Sequence, residues 1–311
     1  MILDFLDRIF SLLRTQGQTW GRITLTGRYG LAFPKQHAVF IAVMEGKCWI
    51  NQDDGPLIGL NPGDFLFLPS PSRFHLRSDV DVSFTSPLTD TQFARWEKTR
   101  ILEHRENIGG HVSLVAGCFT FVSAEAPLLF RDLPSILHAP ACRADELSHQ
   151  VVMMMRDEIV SEEAGATSTV DRLAEILMIR TLRNAIRNRM HPGIKGWIGA
   201  ISDSRIHEAL RLMHQDLAVV YTVEQIARSV GMSRSAFAER FRALVGKTPQ
   251  DHLIEWRIAH AADLLRQDQK AKIGCIAAQV GYMSERAFRE AFARSYGCSP
   301  DKFRKNSLAM T

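Results

Sequence analysis

The chain has 311 residues, of which 46% are hydrophobic and 23% charged, and its formal net charge is +4 at pH 7. This composition is typical of a globular protein of about two domains, and it excludes a disordered chain, a collagen-like fibre and a small disulfide scaffold. No apolar run approaches the roughly 18 residues that a membrane helix needs, so no membrane partner is expected.

The N-terminal end and the cysteines indicate the cellular compartment. The first ten residues are apolar and include two acidic residues, whereas a secretory signal begins with basic residues. The five cysteines are odd in number and widely spaced, and they contain no Cys-x-x-Cys pair. Both observations predict a cytoplasmic protein with reduced thiols.

Residues 20–88 predict β-strands. Short apolar runs in this region alternate with turn formers such as 54–55 and 61–64, which is the pattern of strands joined by turns. Further apolar runs at 112–116 and 119–122 extend the predicted sheet. Because no helical pattern separates these runs, we expect an antiparallel barrel or jelly roll.

Residues 145–189 predict two helices, because their apolar side chains recur at spacings of three and four. The run 162–168 separates the two helices. Two compatible interpretations are equally open: the helices pack onto the barrel, or they form a dimerisation surface. The stretch 191–203 then predicts a linker.

The positive charge is concentrated beyond this linker. Residues 204–311 contain 17 Lys and Arg against 11 Asp and Glu, a net charge of +6, whereas residues 1–203 carry −2. A basic domain joined to a mildly acidic body favours a polyanion as the partner of that domain alone.

The basic region contains an internal repeat. Residues 223–231 match 273–281 at an offset of 50, and after one inserted residue the match continues to Pro249 and Pro300. Two copies of one supersecondary unit explain this pattern. A helix from about Pro249 to Gln267 is predicted between the copies, and it is long enough to hold them apart rigidly.

Each copy predicts a helix-turn-helix unit, at about 222–243 and 272–294. In the first copy Thr222 and Gln225 predict a capping box, and Ser233 predicts the cap of the second helix. An ordinary helical bundle also contains such turns. Two turns in register on a basic segment favour second helices that enter the major groove of DNA.

The outward faces of the two second helices carry the candidate DNA contacts, because phenylalanines four residues apart mark the inward faces. Arginine can bond bidentately to guanine and glutamate can accept from cytosine, so the predicted base-facing residues are Ser235, Ala238, Glu239, Arg286, Arg289 and Glu290. Phosphate contacts position a protein without specifying sequence, and the candidates are Arg234, Arg242, Arg294 and Lys302. For each basic side chain a solvated surface role is the alternative.

Residues 222–304 resemble the DNA-binding domain of the AraC/XylS family of bacterial transcription regulators. The shared pattern is Ile226-Ala227-x-x-Val230-Gly231-x-Ser233-x-x-x-Phe237-x-x-x-Phe241, Gly246-x-x-Pro249, Arg257-x-x-x-Ala261-x-x-Leu264-Leu265, Ile276-Ala277-x-x-Val280-Gly281-Tyr282, Phe288-x-x-x-Phe292 and Gly297-x-x-Pro300. The resemblance implies that two recognition helices read successive major-groove segments on one face of the duplex. Ala238 stands where a longer polar side chain is more usual, so base readout by the first copy is expected to be sparse.

The N-terminal part resembles the cupin-type sensor domain that precedes some AraC-type DNA-binding domains. The motifs that carry this resemblance are Pro62-Gly63-Asp64, Pro69, His75 and Leu133-Pro134-x-x-Leu137-His138. The two resemblances together imply an α+β fold. An N-terminal antiparallel cupin-like β-barrel with flanking helices is expected to occupy 1–190, and a C-terminal all-α double helix-turn-helix domain is expected to occupy 204–311.

A metal-dependent cupin enzyme fused to a DNA-binding module is the alternative function. Catalytic cupins build a metal site from several histidines and a carboxylate, but no His-x-His pair occurs here. His37 and His75 could converge, with Glu45 or His111 assisting. We expect instead no catalytic residue, no metal and no cofactor, with His37 and His75 as candidate ligand-binding residues of a small-molecule pocket.

The sequence therefore predicts a sequence-specific transcription regulator that binds promoter DNA. A small-molecule or stress signal would act through the N-terminal domain by shifting conformational populations. The resemblance implies activation, through contact with RNA polymerase, and a homodimer. An architectural DNA-binding protein is a further alternative, and it would show little sequence preference and ignore small molecules.

Overall fold

A computed structural model of the chain describes residues 10, 13, 15–36, 38–53, 55–70, 72–82, 86–105, 109–121, 123–141, 146–161, 163–187 and 196–308. The chain divides into two compact units. The sheet unit comprises Thr15–Thr120 and Pro134–Pro192, and the helical unit comprises Met1–Arg14, Phe121–Leu133 and Gly193–Thr311. Within the described ranges no helix is long and apolar enough to cross a membrane.

The sheet unit is built from eleven described strands in two sheets. The strands are β1 (Thr15–Thr26), β2 (Gly30–Gln36), β3 (Val39–Gly46), β4 (Cys48–Gln52), β5 (Ile58–Leu60), β6 (Phe65–Leu68), β7 (Ser72–Arg77), β8 (Ser86–Pro87), β9 (Ile101–Arg105), β10 (His111–Phe121) and β11 (Leu137–Ala139). The six-stranded sheet has the order β11-β6-β3-β10-β1-β9, and the five-stranded sheet has the order β5-β4-β7-β2-β8.

The expected closed barrel is not what these strands form. Each described sheet ends in two edge strands, so the two sheets lie as separate layers and do not close. Two of the pairings are also parallel: Arg22 of β1 lies opposite Ile101 of β9, and Leu31 of β2 lies opposite Ser86 of β8. Parallel neighbours need a crossover connection, which a simple up-and-down barrel does not contain.

A hydrophobic core fills the space between the sheets. Alternate residues of β3, such as Ile41 and Val43, join a buried cluster with Phe33 and Leu76 of the other sheet. The opposite face of β3 is also buried, because Phe40 packs on Phe119 with a ring-centroid distance of 5.0 Å. Burial on both faces explains why β3 reads as a continuous apolar run.

Three described helices belong to the sheet unit: α1 (Asp90–Thr99), α3 (Glu146–Ser161) and α4 (Ala166–Arg187). The sequence predicted the last two with the break between them, and this is confirmed. Helices α3 and α4 pack on each other, α3 also packs on β3, and α4 packs on β6 and β11. The interpretation that these helices cover the sheet is therefore correct.

The helical unit contains α2 (Ala126–Phe130), α5 (Gly196–Ala200), α6 (Ser204–Gln215), α7 (Val223–Ser229), α8 (Arg234–Val245), α9 (Pro249–Gln267), α10 (Ile273–Gln279), α11 (Glu285–Tyr296) and α12 (Pro300–Leu308). Of the predicted linker 191–203, residues 191–195 lie outside the described residues and 196–200 are helical. Helix α9 has the predicted bounds and buries Leu253, Ile258, Ala261 and Leu265 along its length.

Candidate nucleic-acid interface

The first helix-turn-helix unit, α7 with α8, has the predicted caps. The Thr222 hydroxyl accepts the backbone N–H of Gln225 at 3.2 Å, and the Gln225 amide oxygen accepts the backbone N–H of Thr222 at 2.8 Å. Ser233 caps α8 by accepting the backbone N–H of Ala236 at 3.3 Å. These bonds satisfy amides that would otherwise lack partners at the helix starts, and they fix where each helix begins.

The second unit, α10 with α11, repeats this geometry with less support. Lys272 precedes α10 and forms no capping bond through its side chain, whereas Ser284 accepts the backbone N–H of Ala287 at 3.4 Å. The turn residue Gly281 has φ +78°. A Cβ atom there would lie 2.8 Å from both the Leu217 carbonyl oxygen and an Arg257 nitrogen, so only glycine fits.

Arg257 on α9 connects the two helix-turn-helix units. Its Nε donates to the Leu217 carbonyl at 3.0 Å and its Nη2 donates to the Val219 carbonyl at 2.8 Å. Its Nη1 reaches the Gly281 carbonyl at 3.4 Å. The side chain thus joins the loop before α7 to the turn of the second unit, which gives a structural role to a motif residue that had no assigned function.

The first recognition helix, α8, packs on a buried histidine pair. The ring of Phe241 meets His252 at a centroid distance of 5.6 Å, and His252 Nε2 lies 2.9 Å from His214 Nε2. One ring must donate and the other accept, so the accepting ring is neutral. Burial lowers the pKa of His252 to about 3, with a smaller contribution from the charges of Lys247 and Arg131.

The second recognition helix, α11, packs on an aromatic cluster. Phe288 and Phe292 are fully buried, as predicted, and their ring centroids are 5.7 Å apart. Phe292 also stacks on Tyr296 at 4.8 Å and meets Phe303 of α12 edge-on at 5.3 Å. With these rings inward, the opposite face of α11 is turned to solvent.

The structure leaves the six predicted base-facing side chains at the surface. Ser235, Glu239, Arg286 and Glu290 are exposed, while Ala238 and Arg289 are half-buried. Arg286 has 89% of its side chain exposed and pairs with Glu290, one turn away, at 3.0 Å. An exposed i,i+4 pair of this kind is weak, so it does not prevent Arg286 from binding another acceptor.

Arg289 is held more firmly than its neighbour. Its guanidinium bonds to Glu285 at 2.8 Å and to Asp301 of α12 at 2.5 Å. These two carboxylates raise the pKa of Arg289. A base contact by Arg289 would require it to exchange at least one of them, a competition that the sequence pattern did not reveal because α12 lies outside the repeat.

The predicted phosphate contacts surround the recognition helices. Arg234 and Arg242 lie at the two ends of α8, Arg294 lies in the last turns of α11, and Lys302 lies on α12. All four are exposed. Within the described residues their side chains form none of the observed ion pairs, which leaves their charges available to a polyanion.

Comparison with known proteins identifies the family. Residues 4–187 match the family model described as Cupin, and residues 226–306 match the model described as helix-turn-helix domain. An AraC-like transcription regulator of Streptomyces lividans is 34% identical over 309 residues, which cover 98% of this chain and 99% of the relative. The chain belongs to the AraC family of transcription regulators. It is thus a DNA-binding transcription regulator.

Two further relatives match this AraC-family regulator over nearly its full length. An AraC-like transcription regulator of Streptomyces antibioticus is 31% identical over 98% of this chain and 100% of the relative. The protein named RCS-specific HTH-type transcriptional activator RclR, from Escherichia coli, is 31% identical over 97% of this chain and 98% of the relative.

The cupin motifs of the regulator have a structural use. Asp64, from the Pro-Gly-Asp turn, accepts the backbone N–H groups of Ala141 at 2.7 Å and Asn61 at 3.0 Å, and His138 donates to it at 3.0 Å. Burial alone would raise the pKa of Asp64, but these hydrogen bonds outweigh it and lower the pKa. The two motifs that are far apart in sequence therefore meet as a packing element.

An apolar pocket opens within the sheet unit. Its cavity volume is about 30 Å³, and Phe33, Phe74, Trp96, Leu102 and Cys118 are among its lining residues. All of the solvent-accessible lining surface is apolar. Burial raises the pKa of the Cys118 thiol to about 11, so this thiol remains neutral in the pocket wall.

The two candidate ligand histidines have different outcomes. His37 lies outside the described residues. His75 lies on β7 opposite Ala32 and Asn51, and it does not line the apolar pocket. Among the described residues no three His, Cys, Asp or Glu side chains converge in a way that could hold a metal ion.

Proposed function

We propose that this regulator recognises a specific promoter sequence, and that α11 carries most of the sequence information. The observation that carries the proposal is the contrast in side chains on two matched scaffolds. Helix α11 presents Arg286, Arg289 and Glu290, which can bond to base edges, whereas α8 presents Ser235 and Ala238 with one glutamate. The exposed phosphate candidates around both helices would set the register.

We propose further that residues 1–190 sense the signal and 204–311 bind DNA, joined by 191–203. The lining of the sheet-unit pocket supports an apolar effector, because a ligand that widened the pocket and became buried there would exchange water for Phe33, Phe74 and Trp96. His37 and His75 remain proposed ligand contacts. The regulator would act in the cytoplasm, where bacterial DNA is found.

Activation of transcription, with contact to RNA polymerase, is the proposed direction of control. The relative RclR is named a transcriptional activator, and it matches this chain across both domains. A homodimer is proposed through α3 and α4, because apolar side chains on them are exposed: Leu147, Met154, Val160 and Ile176. Light scattering of the wild type and of Met154→Glu with Val160→Glu tests this, since only the variant should be monomeric.

The specificity experiment uses the purified full chain and sheared genomic DNA of the organism that encodes it. Bound fragments are sequenced, and the enriched duplex is compared with a scrambled duplex of the same length at one salt concentration. We expect a preference of at least about 1,000-fold, as for other specific regulators. Equal affinity for both duplexes would support the architectural alternative and reject the proposal.

The direction of control is tested with the same duplex. It is placed upstream of a promoter in transcription with purified RNA polymerase. A rise in transcript on addition of the regulator is expected. A fall in transcript would show a repressor instead.

A further inference from the structure

One segment of the chain leaves the sheet unit and returns to it. Strand β10 ends at Phe121, and the next residues up to Leu133 belong to the helical unit, before the chain re-enters the sheet unit at Pro134. The segment contains the short helix α2, whose Leu129 and Phe130 are buried. We call residues 123–131 the latch.

The latch docks on α9 through buried acidic groups. The backbone N–H of Ala124 is shared between the two carboxylate oxygens of Asp263, at 2.8 and 3.0 Å. Glu125 accepts from the Ser123 hydroxyl at 2.7 Å and lies 3.1 Å from His260 Nδ1. Glu125 is 3% exposed and Asp263 is 7% exposed, so each of these bonds is made away from bulk water.

A second contact lies at the end of the latch. Arg131 forms a bidentate ion pair with Glu255 of α9. The Glu255 carboxylate also accepts a hydrogen bond from the Lys247 ammonium group. Arg131 and Lys247 lower the pKa of Glu255 in spite of its partial burial. Two parallel N–H···O bonds fix the orientation of an arginine relative to a carboxylate, in addition to the attraction between their charges.

Removing the latch from α9 would take the Ala124 donor from Asp263 and the Arg131 donor from Glu255, which would keep Arg266 and Lys247 as their remaining partners. Burial alone would raise the pKa of Glu125, but the bonds from His260 and Ser123 lower it. The pKa of Asp263 is raised to about 6 by burial and by its acidic neighbour Glu125. Because a buried carboxylate that loses a hydrogen-bond donor is less stable, the docked position of the latch is favoured.

The two ends of the latch connect to functional parts of the molecule. Three consecutive residues of β10, Ala116, Gly117 and Cys118, line the apolar pocket, and the latch begins five residues further along the same chain. At its other side the latch holds α9, the helix that joins both helix-turn-helix units. A displacement of β10 would therefore act on the latch through the chain, and the latch is hydrogen-bonded to α9.

We propose that the latch couples the pocket wall on β10 to the DNA-binding helices through α9. The latch contacts α9 at Glu255, His260 and Asp263, and none of its observed bonds reaches a candidate base-facing residue. It acts by constraining the scaffold and leaves the reading faces uncovered. The proposal rests on the proposed recognition of a specific duplex, and linkage requires that the coupling runs in both directions.

The test is hydrogen–deuterium exchange of the full chain, with and without the enriched duplex. In the wild type, DNA binding is expected to change exchange in α11, in the latch and in β10. In Arg131→Ala and in Glu125→Gln, the change in α11 should persist and the change in β10 should be lost. Arg131→Lys keeps the charge but not the bidentate geometry, so its response should lie between those of Arg131→Ala and the wild type.

Arg211→Ala is the matched control, because it also removes an arginine–glutamate pair, with Glu208, but outside the latch. It should respond as the wild type does. An unchanged latch in the DNA-bound wild type would overturn the proposal, as would an equal response of β10 in the latch variants. The affinities of the wild type for the enriched and the scrambled duplex are measured first. Equal affinities would reject the proposed function, independently of the latch.

Discussion

The two helix-turn-helix units share a scaffold and differ in what they present. Both have a serine cap on the recognition helix and a glycine with positive φ in the turn. The first has a full capping box and presents Ser235, Ala238 and Glu239, whereas the second presents two arginines and a glutamate, and its first helix has no side-chain cap bond. The repeat preserves the fold, and the exposed positions between the buried ones are where recognition differs.

The largest expected difference between the units lies in their turn glycines. Gly281→Ala should cost roughly 3 kcal/mol of unfolding free energy, because positive φ alone costs ~1–2 kcal/mol and the new Cβ would also strike the Leu217 carbonyl. Gly231→Ala should cost only this backbone term of ~1–2 kcal/mol, since a Cβ there meets no atom within 4 Å. Urea unfolding of both variants measures this difference, and equal losses would contradict it.

The packing behind the first recognition helix predicts a pH effect on the first helix-turn-helix unit. The pKa of His252 is about 3 in the folded chain and 6.5 unperturbed, so the unfolded chain binds the extra proton as the pH falls below 6.5. The stabilisation is complete above pH 6.5 and declines on acidification, by about 2 kcal/mol at pH 5.

Exchange measurements, corrected for intrinsic rates, should therefore show α8 losing protection before α11 between pH 7 and pH 5. The variant His252→Phe is the control, because it keeps a ring against Phe241 and removes the titration. Equal loss of protection in the two helices would count against this account of the histidine pair.

The reading faces predict different DNA energetics. Arg286→Ala should weaken binding to the enriched duplex by ~1–3 kcal/mol and relax preference at one base pair, if its guanidinium bonds to a guanine. Ser235→Ala, at an exposed position of α8, should change affinity by less than about 0.5 kcal/mol. Titrations against single-base variants of the duplex test the pair, and a larger effect at Ser235 would reverse the assignment.

The smallest expected effect separates phosphate contacts from base contacts. Arg242→Ala should weaken binding to the enriched and the scrambled duplex equally. It should also reduce the slope of the logarithm of the binding constant against the logarithm of salt concentration by ~1. Titration at three salt concentrations measures this slope. A loss confined to the enriched duplex would show that Arg242 reads bases instead.

Local signals allowed much of the helical unit to be predicted. Thr222, Gln225 and Ser233 cap the helices that their side-chain chemistry predicts, and the apolar spacing gave the bounds of α9. These features depend on residues within one or two turns of each other, so the sequence alone contains them. The contacts of Arg289 with Asp301 join two helices and were not predicted.

The sheet unit was harder to predict because its pairings are distant in sequence. The parallel pairing of Arg22 with Ile101 leaves no local pattern, and it is one reason why the predicted barrel is wrong. The latch was missed for the same reason: Glu125 and His260 are 135 positions apart and match no motif. Tertiary packing decides which distant segments pair. The alternation of apolar and polar residues along one strand does not contain this information.

The central claim is that α8 and α11 enter consecutive major-groove segments of one duplex. Hydroxyl-radical footprinting of the full chain on the enriched duplex tests it most directly. We expect two protected segments about one helical turn, ~10 base pairs, apart on the same face, with the Arg286→Ala variant weakening protection of only one. A single protected segment, or protection no stronger than on scrambled DNA, would contradict the account.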